Sequence, residues 1–302
     1  MTFPKTFDAY VPSNGTDFLA LSTFQAEYVP FTTLQAVTIS PASGSFAYAK
    51  KLASPGVFAH VLRCFYFALA LLHTGFPSGT PGVAQIGFEE LSLRLYHTSL
   101  LHDLAFSNNT EVLAHPAHAM TFELQGAIMT YEHLHAAAPS LDPHQVGDIV
   151  QSIVLHTSAW ASGNSSANQI LLAISAAFDA GGFNGTGIID YTRLWNPKTV
   201  AEIEKAYPYS DAHAEVGGLI TGEVTQKPNC LFSHIPVHEA RRAFEQFAYR
   251  TNCAHLTIGL SSTLTCTTWI RWFCVRRALS SIFAWMSNKI SSSGSRHPTR
   301  FS

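Results

Sequence analysis

The sequence predicts an all-α body, and three observations carry that prediction. Long apolar segments place their few polar residues at helical spacing. Helix-starting and helix-stopping residues bracket those segments. No stretch alternates apolar and polar residues as a strand series does, and no internal repeat is present. The chain has 302 residues, 47% hydrophobic and 13% charged. That composition allows one core of roughly 200–250 residues plus an appendage.

Residues 1–50 read as an irregular, aromatic-rich lead with a few short helices or extended pieces that packs on the body, with turn signals at Pro12, Asn14-Gly15, Pro30 and Pro41. The body spans 51–235. Its first element is a long apolar helix in PGVFAHVLRCFYFALALLHTGFP, with Pro55 in the first turn and Gly75 at the end. His60 and Arg63 lie three apart and share a face. Residues 77–86 form a loop. The segment GFEELSLRLYHTSLLHDLAF is apolar on both sides at 100° per residue, so it reads as a buried helix to about Phe106, with His102-Asp103 inside it. SNNTEVLAHPAH reads as a loop. Further helices run from about Ala119 to Ala138 and from Asp142-Pro143 to His156, and TSAWASGNSSA connects onward. QILLAISAAFDAGG is a buried helix stopped by Gly181-Gly182. Its only charge, Asp179, sits in the last turn, where the helix dipole disfavours an anion, so a positive group is expected beside it. Helices follow at TVAEIEKAYP and at 212–226.

Residues 236–302 form a basic C-terminal extension. Residues 1–230 hold 18 acids against 9 Lys/Arg, while 231–302 hold 2 acids against 9 Lys/Arg. So sharp a break reads as disorder or as sequence foreign to the fold, with an amphipathic membrane-surface helix as the other reading. Between Lys51 and Arg193 the only Lys or Arg residues are Arg63 and Arg94. Phosphate recognition needs cations near the site, so phosphorylated substrates and nucleic acid are disfavoured and a small neutral substrate is favoured. Five cysteines form no CxxC pair, so spacing indicates neither a disulfide framework nor a thiolate zinc site. The odd count, and an N-terminus without a basic and apolar leader, fit a cytoplasmic protein without an integral membrane span.

Four residues are polar where packing calls for apolar ones: His60, His102, Asp103 and Asp179. An ionised Asp in a buried helix costs several kcal/mol unless it is paired or binds a cation. Two imidazoles and two carboxylates suit zinc, iron, manganese or cobalt. The competing reading pairs Arg63 with Asp179 or Asp103 and needs no metal. The order H…HD…D, one group per helix, resembles the HD-domain superfamily of metal-dependent hydrolases. HTSLLHDLA, MTFELQGA, IVLHTS, ILLAISAAFDAGG and KPNCLFSH run in the order found in fungal cyanamide hydratases, preceded by His60-Val-Leu-Arg63 as that family's HxxR. The resemblance spans roughly residues 50–234. It implies a helical HD-domain bundle around one divalent metal, usually zinc, at His60, His102, Asp103 and Asp179. It also implies a lyase that hydrates cyanamide to urea, and a homo-oligomer. Leu104–Ser107 after the pair, and Thr157-Ser158 after His156, depart from the family pattern.

In that scheme Asp103 accepts or relays a proton, and His156 orients the substrate nitrogen or returns the proton. His156 also reads as a helix-terminal residue serving the dipole. Glu123 reads as a substrate-binding residue or a partner fixing an imidazole, and otherwise as a surface charge. His115, His118, His133 and His135 could add a second metal with His156. Two alternatives stay open: an HD-type phosphohydrolase acting on a nucleotide, and a degenerate HD scaffold without turnover.

Overall fold

The computed structural model describes residues 3–39, 44–158, 160–184, 189–209 and 212–234. The basic extension at 236–302 lies outside the described residues.

The order of elements is β1 (Thr6–Asp8), β2 (Tyr10–Pro12), α1 (Gly15–Leu21), α2 (Phe31–Gln35), α3 (Ser45–Leu52), α4 (Pro55–His73), β3 (Gln85–Gly87), α5 (Phe88–Leu101), α6 (Thr110–Leu113), α7 (Phe122–Ala137), α8 (Pro143–Leu155), β4 (Asn164–Ser166), α9 (Ala167–Gly181), α10 (Pro197–Ala206) and α11 (Ala212–Gln226). The protein is mostly helical. The strands are three residues each and form two antiparallel ladders, β1 with β3 and β2 with β4. β1 and β2 are the short extended pieces expected of the lead; β3 and β4 fall where the sequence reads as loop or connection, because three residues are too few to show an alternating pattern.

Helix ends follow the local chemistry. Ser54 caps α4 by accepting from the Val57 N–H at 3.3 Å, and Pro55 opens the first turn. Asp142 and Gln145 form a reciprocal capping box at the start of α8. Ser166 caps α9, and Gly182, with φ 63°, ends it. The segment 107–119 is less irregular than its composition suggests: it holds α6 and a 3₁₀ turn at Pro116–Ala119.

The His102-Asp103 helix ends earlier than expected. α5 stops at Leu101, His102 is its C-cap, and Asp103 opens a buried turn closed by Leu104 N–H to Leu101 O and Phe106 N–H to Asp103 O. Leu104, Ala105 and Phe106 are buried because α7 covers the turn, so the apolar run outlasts the helix. Gly126 of α7 lies against that turn: a Cβ there would meet the His102 carbonyl oxygen at 3.4 Å, an ordinary contact.

α4 is the central rod, packed against α5, α9, α10 and α11. It is long and apolar enough to cross a membrane, yet 72% of its apolar window is buried inside the fold. One core gathers Phe7 and Phe18 of the lead with Phe67, Phe178 and Trp195. A second joins Leu100, Leu104, Phe122, Ile149 and Ile153. His97 is 1% exposed, and its Nδ1 lies 3.0 Å from Ser45 Oγ, which lies 3.1 Å from His133 Nε2.

Two predictions follow from this packing. A Cβ on Gly75, where φ is 114°, would sit 2.4 Å from the Thr23 carbonyl oxygen, whereas one on Gly79, where φ is 72°, would meet nothing within 4 Å. Gly79→Ala should cost about 1–2 kcal/mol of left-handed strain. Gly75→Ala should cost clearly more, read as a larger fall in Tm. The second concerns acid. Burial, with the His133 charge adding to it, lowers the His97 imidazole to about 4. Between its ordinary value and 4 the unfolded chain binds a proton that the folded chain refuses, so stability falls as pH falls through that window. Urea denaturation at pH 7.5 and pH 4.5 should show His97→Asn losing less on acidification than the parent, by up to about 3 kcal/mol.

Candidate metal centre

α4, α5 and α9 pack against one another, and α8 packs on α5 and α9. His60 comes from the first half of α4, His102 caps α5, Asp103 follows it, His156 caps α8, and Asp179 lies in the last turn of α9. Both His102 and Asp179 are 0% exposed.

The tautomers are fixed by what the Nδ1 atoms face. His102 Nδ1 donates to the Ser99 carbonyl at 2.8 Å, and His156 Nδ1 donates to the Ile153 carbonyl at 2.7 Å. His60 Nδ1 donates to Asp179 Oδ2 at 2.7 Å. Each neutral ring then keeps a lone pair on Nε2. Those lone pairs converge. His60 Nε2 lies 3.2 Å from His102 Nε2, and Asp103 Oδ2 lies 3.4 Å from the first and 3.5 Å from the second. His156 Nε2 stands 3.8 Å from the other oxygen of Asp103.

No protein-family model matches the chain, and no curated protein matches it.

The donor set fits a divalent cation. Donors at 2.0–2.1 Å around a tetrahedral ion stand about 3.3–3.4 Å apart. The three edges of the His60–His102–Asp103 triangle, 3.2, 3.4 and 3.5 Å, bracket that value. Two lone pairs facing across 3.2 Å repel, so the gap calls for positive charge, either a proton on His60 or a metal ion. The ionisation pattern agrees. Burial and then the His60 charge push His102 down to about 3, and burial and then the His102 charge push His156 down to about 4, so both are neutral ligands or bases. Burial alone would lower His60, but Cys64 and the Asp179 hydrogen bond hold it well above the usual imidazole range. Two overlapping donor groups lie within 4.8 Å of one another, His60–Cys64–His102 and His102–Asp103–His156.

Asp179 is the one expected ligand outside the triangle. Its Oδ1 accepts from Arg63 Nε at 2.7 Å and from the Tyr209 hydroxyl at 2.8 Å, and its Oδ2 accepts from Arg63 Nη2 at 2.8 Å as well as from His60. Burial alone would raise this carboxyl, but the Arg63 charge and hydrogen bonds hold it well below the usual carboxylate range. Arg63 is the positive group that the end of α9 requires, one turn along α4 from His60. Its Nη1 donates to the Tyr207 carbonyl at 3.0 Å, and its guanidinium lies 3.8 Å over the Tyr209 ring.

Glu123 is 0% exposed on α7. Thr157 Oγ1 donates to its Oε1 at 2.7 Å, and Thr121 Oγ1 donates to its Oε2. Glu123 therefore braces the turn after His156 through Thr157 instead of meeting an imidazole. Burial raises its carboxyl. Thr121 and Thr157 carry no motif that marks this role in the sequence. Cys64 lies at i+4 from His60 on the same helix, with its Sγ against the ring. The four extra histidines scatter. His115 meets Glu132, His118 meets Gln125, His133 meets Ser45, and His135 stacks on Tyr131. An open groove of about 850 Å³ runs along α7 and α8 past Leu134, Val146, Val150 and Val154, and none of the triangle residues lines it.

Arg63→Met leaves the Asp179 charge buried without its counter-ion. The expected cost is about 3–5 kcal/mol in urea denaturation. Arg63→Met combined with Asp179→Asn removes both charges and should recover a large part of that loss.

Proposed function

We propose that this chain is a mononuclear metal enzyme of the HD-domain kind that adds water to a small nitrile-type substrate, cyanamide giving urea. The observation that carries the reading is the triangle of His60 Nε2, His102 Nε2 and Asp103 Oδ2, with edges of 3.2–3.5 Å and Nδ1 protons committed elsewhere. These three residues would hold the ion, with zinc the first candidate and iron or manganese also suited to the donors. Asp179 keeps the His60 lone pair aimed at it from behind, as a carboxylate does for many ligand imidazoles. When bound, such an ion supplies Lewis-acid activation of water, bringing its pKa toward about 7.

The chain's own groups then handle the protons. Asp103 Oδ1, turned from the triangle, accepts or relays the proton of the attacking water. His156 is neutral with its lone pair on Nε2, so it takes a proton from the oxygen side and returns it to the nitrogen of the product. Water adds across N≡C of N≡C–NH2 to give isourea, which tautomerises to urea without a leaving group. Glu123 and Thr157 hold His156 in place.

A neutral substrate is supported by the state of the nearest cation. Arg63 is 1% exposed and directs its nitrogens at Asp179 and the Tyr207 carbonyl, so it is poorly placed to meet a phosphate. This weighs against the nucleotide phosphohydrolase. Support for cyanamide itself comes from the sequence resemblance in residues 50–234. Of the triangle residues, His60 and Asp103 keep some exposure, their side chains 17% and 11% exposed, whereas His102 is fully buried.

The test is elemental analysis with a urea assay. Purified protein is expected to carry one zinc per chain and to release urea from cyanamide. His102→Ala should weaken metal binding by about 100-fold or more and bring urea release to background. Bound metal without urea ends the cyanamide reading, and inorganic phosphate from nucleotides would replace it. A folded body with no metal would favour a scaffold without turnover.

A further inference from the structure

The two helices that end at His102 and His156 meet a third at one buried side chain. Asn168 lies in the first turn of α9, just after the Ser166 cap. Its Nδ2 donates to Thr98 Oγ1 of α5 at 2.8 Å and to Ser152 Oγ of α8 at 3.2 Å. The three side chains are at most 1% exposed. The hydroxyl protons point elsewhere: Thr98 donates to the Arg94 carbonyl at 2.8 Å, and Ser152 is turned to Asp148 Oδ1 at 3.5 Å. Both hydroxyls therefore accept, and the amide presents its NH2 group to them. Asn168 Oδ1 is left buried with no hydrogen-bond partner among the described residues. A buried acceptor left unpaired is a net cost that an apolar side chain of the same shape would avoid. Stability alone does not account for the amide.

Its position does. Thr98 stands one turn before His102, and Ser152 one turn before His156. Next to them are Ser99 and Ile153, whose carbonyls accept from His102 Nδ1 and His156 Nδ1. The two rings meet edge to face, with centroids 4.9 Å apart. We infer that Asn168 is a positioning residue for both imidazoles. By tying α5 to α8 one turn below the site, it holds the two carbonyls, and with them the tautomers and the spacing of the ring that binds the ion and the ring that moves the proton. The inference rests on the roles proposed above for His102 and His156.

Histidine tautomers, zinc affinity and turnover test it together. In the metal-free parent, nitrogen NMR of the imidazoles should show His102 and His156 protonated on Nδ1. Asn168→Leu keeps the volume and removes the donor. It should fold, mix the tautomers of both rings, weaken zinc binding about tenfold and lower kcat for urea release about tenfold, with KM little changed. Thr98→Val should reproduce the loss of zinc affinity and Ser152→Ala the loss of kcat. Thr98→Ser, which keeps the acceptor, should retain the parent values. A folded Asn168→Leu protein with parent tautomers, or with parent zinc affinity and kcat, overturns the inference whatever its Tm, since packing alone then explains the residue. If Asn168→Leu does not fold, Thr98→Val and Ser152→Ala decide by the same readouts. A parent that binds no zinc ends the metal reading, and the tautomers, read without metal, still decide whether Asn168 positions the rings.

Discussion

The Arg63–Asp179 pair is the constraint on which the rest of the centre depends. Burying a carboxylate at the C-terminal end of a helix is doubly unfavourable, through lost hydration and through the dipole. The guanidinium of Arg63, fixed by two contacts to Asp179 and one to the Tyr207 carbonyl, offsets both. The pair then acts on a third residue. With Asp179 ionised, a proton of His60 stays on Nδ1, and Nε2 points toward His102 and Asp103. An ion pair between α4 and α9 thus sets the tautomer of a ring that belongs to a different set of contacts.

Much of this was legible in the residues. Ser54-Pro55, Asp142-Pro143 and Gly181-Gly182 bracket helices where the structure places them, because caps and breakers act locally. His60, His102, Asp103 and Asp179 stood out because each is a polar group in an apolar helix, and the structure brings all four into one neighbourhood. What the sequence does not carry is which atom faces which. Asp179 can ligate an ion or hold an imidazole from behind, and spacing is the same in both cases. The end of α5 was hidden for a related reason. Leu104, Ala105 and Phe106 are buried in a turn, and hydrophobicity alone does not separate a buried turn from a buried helix. Thr157 turned out to be a partner of Glu123. No local rule predicts that contact, because 34 positions separate the two residues.

The electrostatics of the centre are economical. The Arg63 guanidinium beside it is committed inward, and burial keeps the His102 and His156 imidazoles neutral. Asp103 therefore faces two neutral rings, His102 and His156, and the His60 ring, which, against burial, Cys64 and Asp179 hold above the usual imidazole range. Such a donor set suits a cation better than an anion, in keeping with the scarcity of Lys and Arg between positions 51 and 193.

The two short ladders have a consequence for how the molecule can be divided. β1 pairs with β3, which runs straight into α5, and β2 pairs with β4, which runs straight into α9. The first dozen residues therefore clamp the starting ends of the two rods that deliver His102 and Asp179. A cut at residue 50, where composition alone invites one, would free both rods at their roots. Material trimmed that way would be a poor stand-in for the whole, since its rods could slide by fractions of an ångström, and donor spacing is sensitive on that scale.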